Sequence, residues 1–232
     1  MKKIELLFPE LCNIYGESYN VEYLKRSNPQ NIEIISTNHK TQPLFITEDV
    51  DMIYLGCTTE RKQEKIIEIL KPHVSRIKEL NEKGVVFLAT GNAVEIFGKY
   101  IKDGDRTIEA LGIFDFWSER YMNRDRHNSQ FIGEYNGMSM LGHRSQFSFA
   151  FGDFDNYFIE IEKGIGMNPE TKREGIHVNN FYGTYSLGPF LILNPHFAKE
   201  LLVKMGLSAD LCFEKVILEA YEYRLAELKK TI

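Results

Sequence analysis

Residues 85–98 read VVFLATGNAVEIFG: an apolar run, a bend of small residues, then helical spacing. A strand–turn–helix of this shape can present a nucleophile above the edge of a sheet. The one nucleophilic side chain at this bend is Thr90, whose hydroxyl needs a strong adjacent base and whose β-branch fits a strained turn poorly. In LGCTTERKQ (55–63), Cys57 precedes a helical pattern whose N-terminus could favour the thiolate. Cys57 could equally be a small residue packed beneath a turn. Of the six histidines, His143 in LGHRSQ and His177 in EGIHVNN fall on strand-like segments beside glycines. Either could serve Cys57 or Thr90 as a base, and spacing does not choose between them.

The elements that must position these residues alternate over the first hundred positions. KIELLF (3–8), IEIIS (32–36), DMIYLG (51–56) and VVFLA (85–89) read as strands. Helical spacing covers 17–26, 60–82 and 92–100. Ile66, Ile67, Ile69, Leu70, Val74, Ile77 and Leu80 form the apolar stripe of the second helix, which Pro72 is expected to kink or divide. Alternation of this kind predicts an α/β fold, a mostly parallel sheet with helices on both faces. After Gly104, six strand-like segments lie between 111 and 187 without long helices, predicting a more antiparallel half joined to the same sheet. Two helices, 195–206 and 209–230, close the chain. One domain over 1–232 is expected.

Ligands of doubly wound sheets bind where strands lead into helices. CNIYGESYN, LGCTTERKQ and ATGNAVE are three such ends, each with backbone N–H groups that could hold an anion. Alternatively Thr59, Asn92 and Glu95 cap helices, the last two as an N-x-x-E capping box.

Composition narrows the function classes. Acidic residues exceed basic ones, 33 against 28, which argues against nucleic acid as the main partner. Cys12, Cys57 and Cys212 are odd in number and far apart, so neither disulfides nor a metal site is expected. No cofactor is indicated. The apolar residues of the first sixteen positions are too few for a signal peptide, and no stretch is long enough for a membrane span, so a cytoplasmic location is expected.

Several stretches together resemble the class I glutamine amidotransferase domains of the cobyric acid synthase type, which have a flavodoxin-like fold. The likeness is strongest to the amidotransferase subunits of lipid II isoglutaminyl synthases. PELCNIYGESYNVEYLKR (9–26) is similar to the family's opening N-x-Y-G-D-x-G-N segment, and YLGCTTERKQ (54–63) to its G-G-G-S-D-R-x-Q stretch. ALGIFDFWSERYMNR (110–124) resembles its L-G-I-L-D-F segment. REGIHVNNFYGTYSLGPFLILNP (173–195) matches its E-G-I…N-x-x-G-T-Y-x-H-G-P…N-P signature. The likeness runs from about residue 3 to 205.

The resemblance implies a site at the sheet's carboxyl edge. The family's cysteine belongs in a C-G-x-x-Q turn, where this chain has Thr90, Gly91 and Asn92. The family's histidine falls on Leu187, and two of its glycines on Cys57 and Thr58. Thr90 and Leu187 are therefore expected to meet near Gly56 and Cys57, with Gly91, Asn92 and Arg124 binding substrate. The implied function is a degenerate amidotransferase that binds glutamine or a similar small metabolite and serves a Mur-ligase-like synthetase subunit. The rival is an active enzyme with a relocated nucleophile, Cys57 or Thr90 with His143 or His177.

Overall fold

The computed structural model describes residues 1–232. Its first half runs β1 (Lys2–Leu7), α1 (Tyr19–Ser27), β2 (Ile32–Thr37), β3 (Met52–Leu55), α2 (Glu60–Leu70), α3 (Val74–Glu82) and β4 (Val86–Thr90). Seven strands follow: β5 (Tyr100–Asp103), β6 (Arg106–Glu109), β7 (Phe116–Arg120), β8 (His127–Tyr135), β9 (Met138–Gln146), β10 (Ser148–Gly152) and β11 (Ile159–Lys163). The chain ends with β12 (Arg173–Glu174), β13 (Ile176–Val178), β14 (Phe181–Thr184), α4 (Phe190–Leu193), α5 (Pro195–Lys204) and α6 (Glu214–Thr231).

The central sheet has six strands in the order β13-β14-β4-β3-β1-β2. All of its pairs are parallel except the β13–β14 edge. Every residue of β3 and β4 is buried, as expected for central strands covered on both faces. Successive side chains point to opposite faces. Ile53, Leu55, Phe87 and Ala89 meet Ile66, Leu70 and Ile77 on one side. Met52, Tyr54, Val86 and Leu88 meet Val21, Leu24 and Leu201 on the other. Pro72 lies in a one-turn 3-10 segment, Lys71–His73, that divides α2 from α3, as its missing N–H requires.

The sequence differs from the structure in two places. Only β13 and β14 of the second half join the central sheet. The remaining strands build two further four-stranded sheets, β10-β7-β5-β6 and β12-β11-β8-β9. The long β8–β9 hairpin closes on Asn136-Gly137, both at positive φ (50° and 76°), the Asn-Gly turn that suits a twisted ribbon. The helix expected over 92–100 is instead a 3-10 segment, Gly91–Phe97, with all seven residues buried. A glycine start, two β-branched residues and an Asn92 side chain engaged elsewhere all disfavour an α-helix there.

Candidate active site

Strand β4 ends at Thr90 in extended conformation, and the chain bends at Gly91, where φ is +63°. A side chain at positive φ is strained, and glycine is not. The bend is tied to the turn after β14 by the Gly91 N–H, which donates to the Ser186 carbonyl at 3.1 Å. A Cβ on Gly91 would lie 2.7 Å from Cys57 Cβ, 2.9 Å from Cys57 Sγ and 3.0 Å from Leu187 Cδ2. The side chains of Cys57 and Leu187 thus fill the space directly above the elbow.

A cavity of about 140 Å³ opens over this point. Gly91, Asn92, Cys57, Glu60, Arg126 and Leu187 are among its lining residues. Asn92 clasps the opposite loop in both directions: Thr58 N–H donates to its Oδ1 at 3.0 Å, and its Nδ2 donates to the Thr58 carbonyl at 2.8 Å. Cys57 Sγ lies 3.4 Å from the same Oδ1. Burial pushes the Cys57 thiol up to about 12, so it stays protonated near neutral pH. Thr59 and Glu60, at the start of α2, also line the cavity, and Thr59 gives that helix no side-chain cap. Neither half of the expected capping box is formed, because Asn92 is spent on Thr58 and Glu95 on the network described below.

Five residues singled out from the sequence stand elsewhere. Thr90, assigned the nucleophile's position, does not line the cavity. It is fully buried with its side chain turned to the opposite face of the sheet, where Oγ1 is 2.8 Å from Tyr54 Oη. Tyr54 accepts a hydrogen bond from Asn20 Nδ2 at 2.8 Å, so its own hydroxyl is available to Thr90. The correction is one residue. Gly91 holds the left-handed bend, which aligns the family's C-G-x-x-Q turn with Gly91 to Glu95. Gly56 also lies outside the cavity. A Cβ there would strike the Cys12 carbonyl at 2.6 Å, so its role is close packing of the first loop.

Arg124 is exposed and stacked on Tyr121, 4.7 Å from the ring centre. Arg126, two residues on, lines the cavity instead, with a guanidinium N–H on Tyr15 Oη and the group 4.5 Å over the Phe147 ring. Both arginines lie on one loop, and the direction of each side chain comes from the tertiary fold. His143 is exposed in an apolar groove on the far side of Leu187 and reaches the site only through its carbonyl, which accepts Leu187 N–H at 2.8 Å. His177 stacks on Tyr182 at 4.6 Å, and its Nε2 meets the Asn179 carbonyl. No histidine lines the cavity.

A polar network underlies the site. Glu95, fully buried, accepts from Tyr185 Oη at 3.0 Å, from Gln63 Nε2 at 2.9 Å and from Ser148 Oγ. Gln63 Oε1 accepts from Arg120 at 2.7 Å, and Arg120 also pairs with Glu64 and Asp103. Glu174 accepts from Tyr185 N–H at 2.8 Å and Thr184 Oγ1 at 3.0 Å, and faces Arg144 at 3.4 Å. Both members of that pair have no solvent exposure. Burial raises the Glu95 and Glu174 carboxyls above their ordinary range. The Leu187 turn therefore rests on Glu174, and the segment after the elbow on Glu95.

Residues 3–194 match the family model described as a CobB/CobQ-like glutamine amidotransferase domain. The chain is 28% identical over 194 residues to the lipid II isoglutaminyl synthase (glutamine-hydrolyzing) subunit GatD of Staphylococcus aureus (strain N315), covering 83% of this chain and 79% of that protein. It is 24% identical over 214 residues to the subunit of the same name from Streptococcus pneumoniae (strain ATCC BAA-255 / R6), covering 84% and 77%. A crystal structure of a glutamine amidotransferase superposes with a TM-score of 0.60 at 11% identity, covering 88% of this chain and 99% of that one. That last likeness is one of fold.

Proposed function

From a chain that belongs to the CobB/CobQ-like glutamine amidotransferase family but carries glycine at its elbow, we propose an amidotransferase-like subunit without glutaminase activity. It binds a small metabolite of the glutamine type and acts in the cytoplasm beside a Mur-ligase-like synthetase. The names of its two relatives, both subunits of a synthase, support the partner role. No helix is long and apolar enough to cross a membrane.

The observation that carries the reading is the packing above Gly91. Hydrolysis of glutamine requires a thiolate to attack the carboxamide carbon, forming a thioester as ammonia leaves with a proton from an imidazole. Gly91 supplies no attacking atom, and Leu187 can neither accept nor donate a proton. Backbone groups at the bend could polarise an amide, but polarisation without a nucleophile leaves the bond intact.

Cys57 is the one thiol in the cavity and thus the alternative nucleophile. Its sulfur is protonated at neutral pH and faces an amide oxygen, with no imidazole in the cavity to take its proton. Ammonia release from glutamine by the purified protein, alone and with a co-expressed ligase, tests the proposal. The expected rate equals the buffer blank. Turnover that disappears in Cys57→Ala would establish the alternative.

A further inference from the structure

The same packing bears on which ligand the cavity accepts. A carboxamide under attack at an elbow lies beyond the nucleophile's Cβ, at bonding distance from the next atom out. In this chain the Cβ position itself is already within 3.0 Å of three side-chain atoms. Carbon contacts are favourable at about 3.5–4.0 Å and repulsive well inside that range. The cavity therefore reaches the Gly91 backbone, but the space a nucleophile's side chain and an attacked carboxamide would fill is taken by the side chains of Cys57 and Leu187.

Its outer part carries charge of both signs. Glu60 lines the cavity, and its carboxylate forms no hydrogen bond or ion pair within the chain. Arg126 lines it too, steadied by Tyr15 and Phe147, with further guanidinium N–H groups free for a carboxylate. An anion and a cation at one small mouth are complementary to an ammonium and a carboxylate on one carbon. Ser145 and Ser148 also line the cavity.

Resting on the reading that glutamine is not hydrolysed, we infer that the cavity takes an α-amino acid with a short, uncharged side chain, of alanine or serine size, and excludes glutamine. Cys57 and Leu187 set this specificity by occupying the carboxamide's place. Arg126 and Glu60 hold the backbone groups that every amino acid shares.

Calorimetric titration of the full chain with alanine, serine and glutamine tests the inference, with thermal melts confirming that each protein is folded. The wild type is expected to bind alanine or serine at least tenfold more tightly than glutamine. Cys57→Gly combined with Leu187→Ala vacates the carboxamide's place and should reverse that order. Arg126→Ala, at an exposed position, should abolish binding of all three while leaving the melt unchanged. Wild-type protein that binds glutamine as tightly as serine, or binds neither, overturns the inference. If the double variant does not fold, the wild-type order and Arg126→Ala decide the matter. Ammonia release would instead overturn the underlying reading, so the two failures are distinguishable.

Discussion

The mouth of the elbow cavity and the polar network beneath it are built on different terms. At the elbow, glycine, cysteine and leucine pack as ordinary core residues, and no charged group touches the bend itself. Beneath it, Glu174 and Arg144 are buried as an ion pair, Tyr185 donates to both Glu174 and Glu95, and Gln63 links Glu95 to Arg120, all at considerable desolvation cost. The elbow is thus shaped by packing, and the network by charge and hydrogen bonding that fix the turn after β14 and the segment after the elbow.

The sharpest way to break this comparison is to uncharge the network. Glu174→Gln leaves Arg144 fully buried without its countercharge and weakens the acceptor for Tyr185 N–H. Removing one partner of a buried pair costs about 3–5 kcal/mol. The urea midpoint should fall accordingly with an unchanged slope. A loss below about 1 kcal/mol would mean that the Leu187 turn does not depend on the pair.

At the elbow the effect is smaller and depends on its neighbours. Gly91→Ala places a Cβ at positive φ and 2.7 Å from Cys57 Cβ. Strain and overpacking together should cost about 1–3 kcal/mol. In a Cys57→Gly background the two closest contacts are relieved, and the backbone term and the 3.0 Å approach to Leu187 Cδ2 remain. The cycle should therefore show coupling of more than about 0.5 kcal/mol. Additive effects would show that Cys57 and Gly91 do not share that space.

What the sequence disclosed follows the same division. The parallel core was legible because β1 to β4 and the helices between them carry periodic apolar residues, and Pro72 marks the break between α2 and α3. The family was legible because its glycine and turn motifs are local. At the elbow the chemically apt side chain, Thr90, and the residue that meets the conformational requirement, Gly91, are neighbours, so residue type alone points one position early. Asking which residue at the bend must adopt positive φ selects Gly91. Arg126 and the two smaller sheets are not legible locally, because side-chain direction on a loop, and which strands pair with which, are decided by distant contacts. The Asn136-Gly137 turn was the one local signal for the β8–β9 hairpin.

The smallest expected effect concerns Glu17, a buried carboxyl packed against the turn that carries Leu187. Gly188, next to Leu187, packs so closely on it that a Cβ there would lie 2.9 Å from Glu17 Cγ. Its Oε2 accepts Tyr15 N–H at 2.8 Å, while Oε1 is buried without a partner. Burial raises the Glu17 carboxyl above its ordinary value of 4.5, against weaker opposing hydrogen bonds. With a raised value, the folded state binds a proton that the unfolded chain has already released. Stability from this group is therefore full below the unfolded value and is lost as pH rises through the folded one. Glu17→Gln keeps an acceptor for Tyr15 and removes the charge, so its melting temperature should exceed that of the wild type at pH 8 by about 1–3 °C. At pH 4 the two should coincide. An equal gain at both pH values would assign the effect to packing. A loss at pH 8 would show that the carboxylate is needed as a charge, and would place Glu17 with the network rather than with the elbow.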